Sequence, residues 1–320
     1  MPITLAQAKV GMADKVDQAV IDEFRRSSLL LDALTFDDAV SPGTGGSTLT
    51  YGYIKLETPA TAGFREINSE YTPNEAKRRK ATADLKIFGG SAQVDRVIQS
   101  TSGAVNEMNF QLQQKVLGAR NLFHHTAING DATSGESFNG LDVMLTGSST
   151  EYNTGTAIDL SSTDALNTNY NKFLDMLGEF LSGLDGKPSM LLGNSKLITR
   201  IQSVARRAGY LTHAEDAFGR KITGYDGIPL LDMGQFWNGT GTVDVIKNDA
   251  TAGTTSLYAV TLGLDAFHGV SPAGGKIINT YLPDLSQPGA VKKVEVEMVA
   301  AVVLKNTRKA GSFRKIKVVG

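Results

Sequence analysis

Apolar positions recur along the chain in two rhythms. Met12, Val16, Val20, Phe24 and Leu31 keep the spacing of one helix face, with acids and arginines between them, and predict an amphipathic helix over residues 12–33. The turn-rich stretch Ser41 to Ser47, with Pro42, Gly43, Gly45 and Gly46, closes what reads as a short N-terminal arm. Strand rhythm follows. Thr48 to Glu57 alternates through Leu49, Tyr51 and Tyr53, then shifts phase to Ile54 and Leu56, which predicts a bulge at Gly52. Lys80 to Ile87 sets Ala81, Ala83, Leu85 and Ile87 on one face and Lys80, Thr82, Asp84 and Lys86 on the other. Between the two runs lies a polar stretch, residues 58–79, with Pro59, Gly63 and Pro73. Connections that long are uncommon in compact domains unless they serve a function. A two-stranded hairpin with such a tip is marginal alone in water. It needs a neighbour, and another subunit would serve.

Helical spacing returns at Ser102 to Asn129, where Val105, Met108, Leu112, Val116, Ala119 and Phe123 form one stripe. Such a helix would run about 40 Å, with Ser102 as N-cap and Gly130 just past its end. Residues 131–162, rich in Gly, Ser, Thr and Asn, read as loops with short strands. Asp164 to Leu184 predicts a second helix on the stripe Leu166, Tyr170, Phe173, Leu177 and Leu181, ended by Gly186-Lys187-Pro188. Met190 to Leu192 reads as a short buried strand. Asn194 caps a third helix that ends at Gly209, with Arg206 and Arg207 in its last turn where cations suit the dipole. From Thr223 onward strands and turns dominate, closing with strands at Val291–Leu304 and Phe313–Val319.

Composition narrows the function. A chain of 320 residues is long enough for one large domain or two modest ones. Its formal net charge of −1 disfavours tight, phosphate-neutralising nucleic-acid binding. The absence of cysteine excludes disulfides, thiolate metal sites and a cysteine nucleophile. The N-terminus shows no secretory pattern, and the longest wholly apolar run, Met298 to Leu304, is far too short for the roughly 20 residues of a membrane span.

The candidate chemical motifs do not converge. His124 and His125 are adjacent on a helix and point about 100° apart, so they cannot share a metal. His213 and His268 are isolated. Asn129 to Glu136 lacks the register of a calcium loop and reads as turn chemistry. Gly43-Thr44-Gly45-Gly46 is not a dinucleotide fingerprint, and Ser271 to Lys276 is not a phosphate loop, since Ile277 stands where Ser or Thr is required. No GxSxG elbow is present. No catalytic, cofactor or metal site is therefore expected. Two charge features remain. Lys77-Arg78-Arg79-Lys80 is either a contact for nucleic acid or an acidic partner, or a solvated loop end beside Glu66, Glu70 and Glu75. Lys292 to Lys317 carries eight Lys and Arg against Glu295 and Glu297, facing either nucleic acid or an acidic neighbour.

Four local motifs, in order, resemble the HK97-like capsid fold of tailed-bacteriophage major capsid proteins. Ile128-Asn129-Gly130-Asp131 with Phe138-Asn139-Gly140-Leu141 resembles the turn after that family's spine helix. Pro188 to Asn194 resembles its axial-domain strand, and Gly224 to Leu230 a following strand. Lys309 to Ile316 resembles its C-terminal end. The resemblance implies an α+β fold: an N-terminal arm (1–46), an extended E-loop hairpin (47–88), a peripheral domain (89–149 and 266–320) with a spine helix at 102–129, and an axial domain (150–265). It implies a structural shell protein that self-associates as hexamers and pentamers around double-stranded DNA without reading its sequence. Portal and decoration proteins are the implied partners, together with a separate scaffolding protein, since no long scaffolding segment precedes the arm. The implied location is the virion, after assembly in the host cytoplasm, without a membrane. Arg78, Arg79, Lys80, Glu66 and Glu70 are the expected inter-subunit contacts. Some relatives join subunits by a Lys–Asn isopeptide; Lys55, Lys80 and Asn306 have the residue types but do not register on that motif. The alternatives are an encapsulin-type compartment shell and, in a different class, a hydrolase or sugar-binding protein with a mixed α/β core.

Overall fold

The structure, a computed structural model, describes residues 30, 33–39, 49–101, 107–133, 135–209, 212–215, 221–272, 277–284 and 287–319. The arm helix expected at 12–33 and the turns at 41–47 fall almost wholly outside these residues. The first half of the chain forms β1 (Phe36–Asp38), β2 (Thr50–Thr58), β3 (Lys77–Asp84), β4 (Lys86–Asp95), α1 (Arg96–Thr101), α2 (Glu107–Asn129), α3 (Leu141–Leu145) and β5 (Glu151–Asp159). Next come α4 (Thr163–Ser182), β6 (Met190–Gly193), α5 (Ser195–Ala208), β7 (Thr212–Glu215), β8 (Lys221–Tyr225) and β9 (Ile228–Asp232). The remainder is β10 (Gln235–Trp237), β11 (Thr242–Asp244), β12 (Thr254–Val260), β13 (Phe267–Ser271), β14 (Ile278–Tyr281), β15 (Val291–Leu304) and β16 (Ala310–Lys317).

Two sheets organise the body. One has seven strands in the order β5-β16-β12-β6-β9-β8-β7. Its central strands are apolar on both faces because both faces are covered. Met190 and Leu192 of β6, with Tyr258 and Val260 of β12, join a core that also holds Phe123 and Ile128 of α2. The alternate residues Leu191, Leu257 and Ala259 join a second core against Leu166, Phe173 and Leu177 of α4 and Leu197, Ile201 and Val204 of α5. The other sheet is built on β15. Its residues 291–300 pair antiparallel with β4, while β14 pairs with residues 295–298 and β13 with 301–304. β1 pairs parallel with β13.

The helices end where local chemistry ends them. Ser162 accepts from the Ala165 amide at 3.1 Å to open α4, and Asn194 accepts from the Leu197 amide at 2.8 Å to open α5. Gly209 closes α5 with φ 74°, a left-handed backbone that suits glycine. Gly130 follows α2 for another reason. Its backbone is not left-handed, but a Cβ there would lie 2.2 Å from the Phe138 carbonyl oxygen, and Gly140 donates its amide to Gly130 O at 2.8 Å. The two glycines of the motif around 130 and 140 let two backbones touch.

Several expectations are corrected. The strand expected over Lys80–Ile87 is two strands. β3 ends at Asp84, Leu85 turns into the core at 4% exposure, and β4 starts at Lys86 with Ile87 60% exposed. No bulge occurs at Gly52, which pairs in register with Thr82; the irregularity falls between Leu56 and Thr58. Within the helix expected from Ser102, α2 is described from Glu107, and residues 102–106, with that N-cap, lie outside the described residues. The loop-rich 131–162 contains α3 and the nine-residue edge strand β5. The stretch 266–320 does not return to one sheet: β13, β14 and β15 do, but β16 lies between β5 and β12 in the other.

One polar strut ties α3 to this second sheet. β16 shifts register against β5 between Arg314 and Ile316, with Lys315 at φ 60°. Arg314 donates to Asp142 Oδ1 at 2.6 Å, to Thr146 Oγ1 at 2.9 Å and to the Glu151 carboxylate. Tyr258 donates to the same Asp142 oxygen at 2.6 Å. Burial, then Asp142, pushes the Tyr258 hydroxyl pKa well up, so it stays a donor.

Candidate functional site

β2 and β3 make a two-stranded sheet of their own, joined by residues 59–76, every one of them exposed. Only the root of this hairpin reaches the body, where Tyr51, Tyr53 and Ala83 pack against the first core. Because the pairing is regular through Gly52, the phase change in the sequence becomes a change of face. Tyr51, Tyr53 and Lys55 lie half-buried on one side; Ile54 and Leu56 lie on the other, 69% and 61% exposed. The tip adds Phe64, Ile67 and Tyr71, all largely exposed. The sequence presents this tip as polar, and these three escape notice there because isolated apolar residues among polar ones carry no periodicity. Burying each such side chain is worth about 1.5–3 kcal/mol, and among the described residues no apolar surface of the body takes them up.

The basic run lies in β3, not in a loop, and strand alternation divides it. Lys80 faces Ile54 and Arg78 faces Leu56, so these two cations flank the exposed apolar pair, while Arg79 faces Lys55 on the opposite side. All of Arg78, Arg79, Lys80, Glu66 and Glu70 are exposed. Among the described residues no ion pair joins Arg78, Arg79 or Lys80 to Glu66 or Glu70. Arg65 instead donates to the Glu66 and Ser69 carbonyls, each at 3.3 Å, and lies over the Tyr71 ring. Burial, then the Arg79 charge, holds the Lys55 pKa down, and its ammonium lies 5.4 Å from the Tyr53 ring centroid. Asn306 caps a short turn by accepting from the Arg308 amide at 3.0 Å.

His124 and His125 pack. His124 is paired with the Met233 carbonyl at 2.9 Å, and His125 stacks on Phe236 with ring centroids 4.5 Å apart. Asp131 accepts from the Thr133 amide and hydroxyl, closing the turn that the sequence shows there. Among the described residues no group of three His, Asp or Glu could hold a metal, and no helix is long and apolar enough to cross a membrane. Burial first, then Lys247 and His124, pushes the His125 pKa down to about 4; burial also lowers that of His124. Both imidazoles bind a proton more weakly folded than unfolded. Their stabilising contribution is complete above the ordinary value of about 6.5 and is lost as pH falls toward 4. Replacing His125 with Phe should preserve about 1–2 kcal/mol of the stability that the parent chain loses over that range. Urea unfolding followed as a function of pH measures the difference.

No family model and no curated protein matches the chain. Solved structures do match, over nearly its whole length. The holo-SrpI encapsulin complex from Synechococcus elongatus PCC 7942 aligns at TM-score 0.65 and 12% identity, over 99% of this chain and 97% of that one. A chain from Mycobacterium phage Bobi aligns at TM-score 0.58 and 13% identity, over 100% of both. The capsid of Myoviridae Phage XM1 aligns at TM-score 0.57 and 14% identity, over 98% of this chain and 99% of that one. The chain therefore has the α+β fold of these capsid and encapsulin subunits, as the four motifs imply.

Proposed function

We propose that the chain is a major capsid protein of the HK97-like type, a subunit that self-associates into an icosahedral shell around a phage genome. The observation that carries this reading is the β2–β3 hairpin. It projects exposed apolar residues on one strand face and at its tip, with Arg78 and Lys80 beside them. Among the described residues nothing in a lone subunit covers that surface, whereas a ring of copies would cover it repeatedly through many modest interfaces. In this reading the hairpin is the E-loop, α2 belongs to the spine helix, and residues 1–46 are the arm. The β15 sheet forms the peripheral domain. The seven-stranded sheet forms the axial domain, with β16 added to the 150–265 stretch. Arg78, Arg79, Lys80, Glu66 and Glu70 meet neighbouring copies in hexamers and pentamers. Portal, scaffolding and decoration proteins are its partners, and it encloses double-stranded DNA in the virion after assembly in the host cytoplasm. Its work is self-association, not catalysis.

The likeness to an encapsulin complex favours a second reading, a compartment shell around a cargo enzyme. Neighbouring genes separate the two: terminase and portal genes against a cargo enzyme. Hydrogen exchange tests what both readings share. Amides of residues 58–79 should exchange freely in dissociated subunits and become protected in assembled particles. Equal protection in the two states would remove the hairpin from the interface.

A further inference from the structure

At the root of the hairpin, side chains from four segments meet. Tyr51 of β2 donates its hydroxyl to Asp37 Oδ2 of β1 at 2.6 Å. Lys305, just past β15, places its ammonium 3.8 Å from the same oxygen and 5.3 Å from the Tyr51 ring centroid. His268 of β13 lies beneath them with no exposed surface, its ring edge-on to Tyr51 at 5.9 Å between centroids. Among the described residues neither of its ring nitrogens makes a hydrogen bond of ordinary geometry, the Ala266 backbone offering only a poorly aligned one. A buried polar group without a partner gives up water and gains nothing in return, which marks a position where something other than packing is at work. His124, buried on α2, shows the ordinary solution, a bond to a backbone carbonyl.

Among the described residues the charged groups facing His268 come from β1, from the turn before β13 and from the end of β15. Lys305 opposes a positive imidazole, while Asp37, Asp265 and the Ala266 backbone favour one. Burial, then Lys305, outweighs them and keeps the ring neutral. Asp37 is meanwhile committed to Tyr51, whose hydrogen bond is the main reason its own pKa is lowered. A proton on His268 would change that balance, because an imidazolium has two donors to place and Asp37 is a carboxylate within its electrostatic reach.

We propose that His268 is a proton-operated latch for the hairpin: neutral, it leaves Asp37 to hold Tyr51; protonated, it draws Asp37 to itself and frees Tyr51, so that the hairpin swings from the body. The proton comes from solvent when the root opens transiently. The closed root binds it more weakly than the open root, so falling pH below the ordinary imidazole value of about 6.5 shifts the equilibrium toward open. The latch belongs to the single subunit and does not depend on the shell reading; it can fail while that reading stands.

The chain has no cysteine, so two can be introduced for spin labels without a background. Ala62→Cys marks the exposed tip and Ser182→Cys the exposed end of α4. Pulsed dipolar spectroscopy of dissociated subunits then reports the distance distribution between them. Between about pH 7.5 and about pH 5 the distribution should shift and at least double in width. His268→Phe should stay narrow at both values, with His268→Gln as the same neutral test should the Phe variant fail to fold. Tyr51→Phe, which removes only the hydroxyl, should be broad at both. An unchanged distribution in the parent chain, an acid transition that survives loss of the imidazole, or a narrow distribution in Tyr51→Phe would each overturn the latch.

Discussion

Replacing Arg314 with Met lowers the stability of the subunit by about 2–4 kcal/mol, an effect expected from stranding two carboxylates around one missing cation. The Met side chain keeps most of the apolar stem. What is lost is the fork that reaches Asp142, Glu151 and Thr146 together. Arg314 and Glu151 are 18% and 15% exposed, so solvent screens little of the Glu151 charge; Asp142, at 37%, recovers part of its loss from water, which keeps the figure below that of a fully buried pair. Tyr258 still donates to Asp142, but that carboxylate no longer has a counter-charge. Arg314→Lys should recover less than half of the loss, because one ammonium cannot span both acids and the threonine. Thermal unfolding should show a fall in Tm of roughly 5–8 °C for the Met variant.

Reversing Arg78, Arg79 and Lys80 to Glu should abolish or severely slow assembly while leaving the melting of the subunit within about 1–2 °C of the parent. The asymmetry follows from where these residues sit. They are exposed, lie on a hairpin that shares little with either core, and make no described ion pair whose loss would register in folding. In an assembly, each exposed contact is worth only about 0–1 kcal/mol, but the reversal places repelling charge at every copy of the same interface. The change also puts acids beside the exposed Ile54 and Leu56, which the proposed interface would cover. Light scattering of assembly reactions, alongside calorimetry of the dissociated subunits, measures the two effects separately.

Much of the fold was legible in the sequence because its signals are local. β15 was bounded at Val291 and Leu304 by alternation and apolar content alone, and α5 by its Asn194 cap and Gly209 stop. Other boundaries depend on what packs from afar. The run Lys80 to Ile87 alternates without a break, yet Leu85 drops into the core where the chain leaves the hairpin for the β15 sheet. β5 hides in a polar segment because it is an edge strand, where apolar content is not needed. β16 gave its strand pattern but not its sheet, since partner choice is set by β5 and β12, fifty or more residues away in sequence. The candidate surface was half legible. Residue types placed the hairpin and its charges, but only the regular register shows that Ile54 and Leu56 face outward, and only the fold brings His268 beneath Tyr51.

Negative-stain electron microscopy of the purified protein, alone and co-expressed with the proposed scaffolding protein, tests most directly whether the chain is a shell subunit. Closed particles, rings or tubes built from repeated copies are expected, because the hairpin presents apolar surface that no other described residue covers. A population that stays monomeric across protein concentration and salt, and that forms no particles even with the scaffold present, would contradict it.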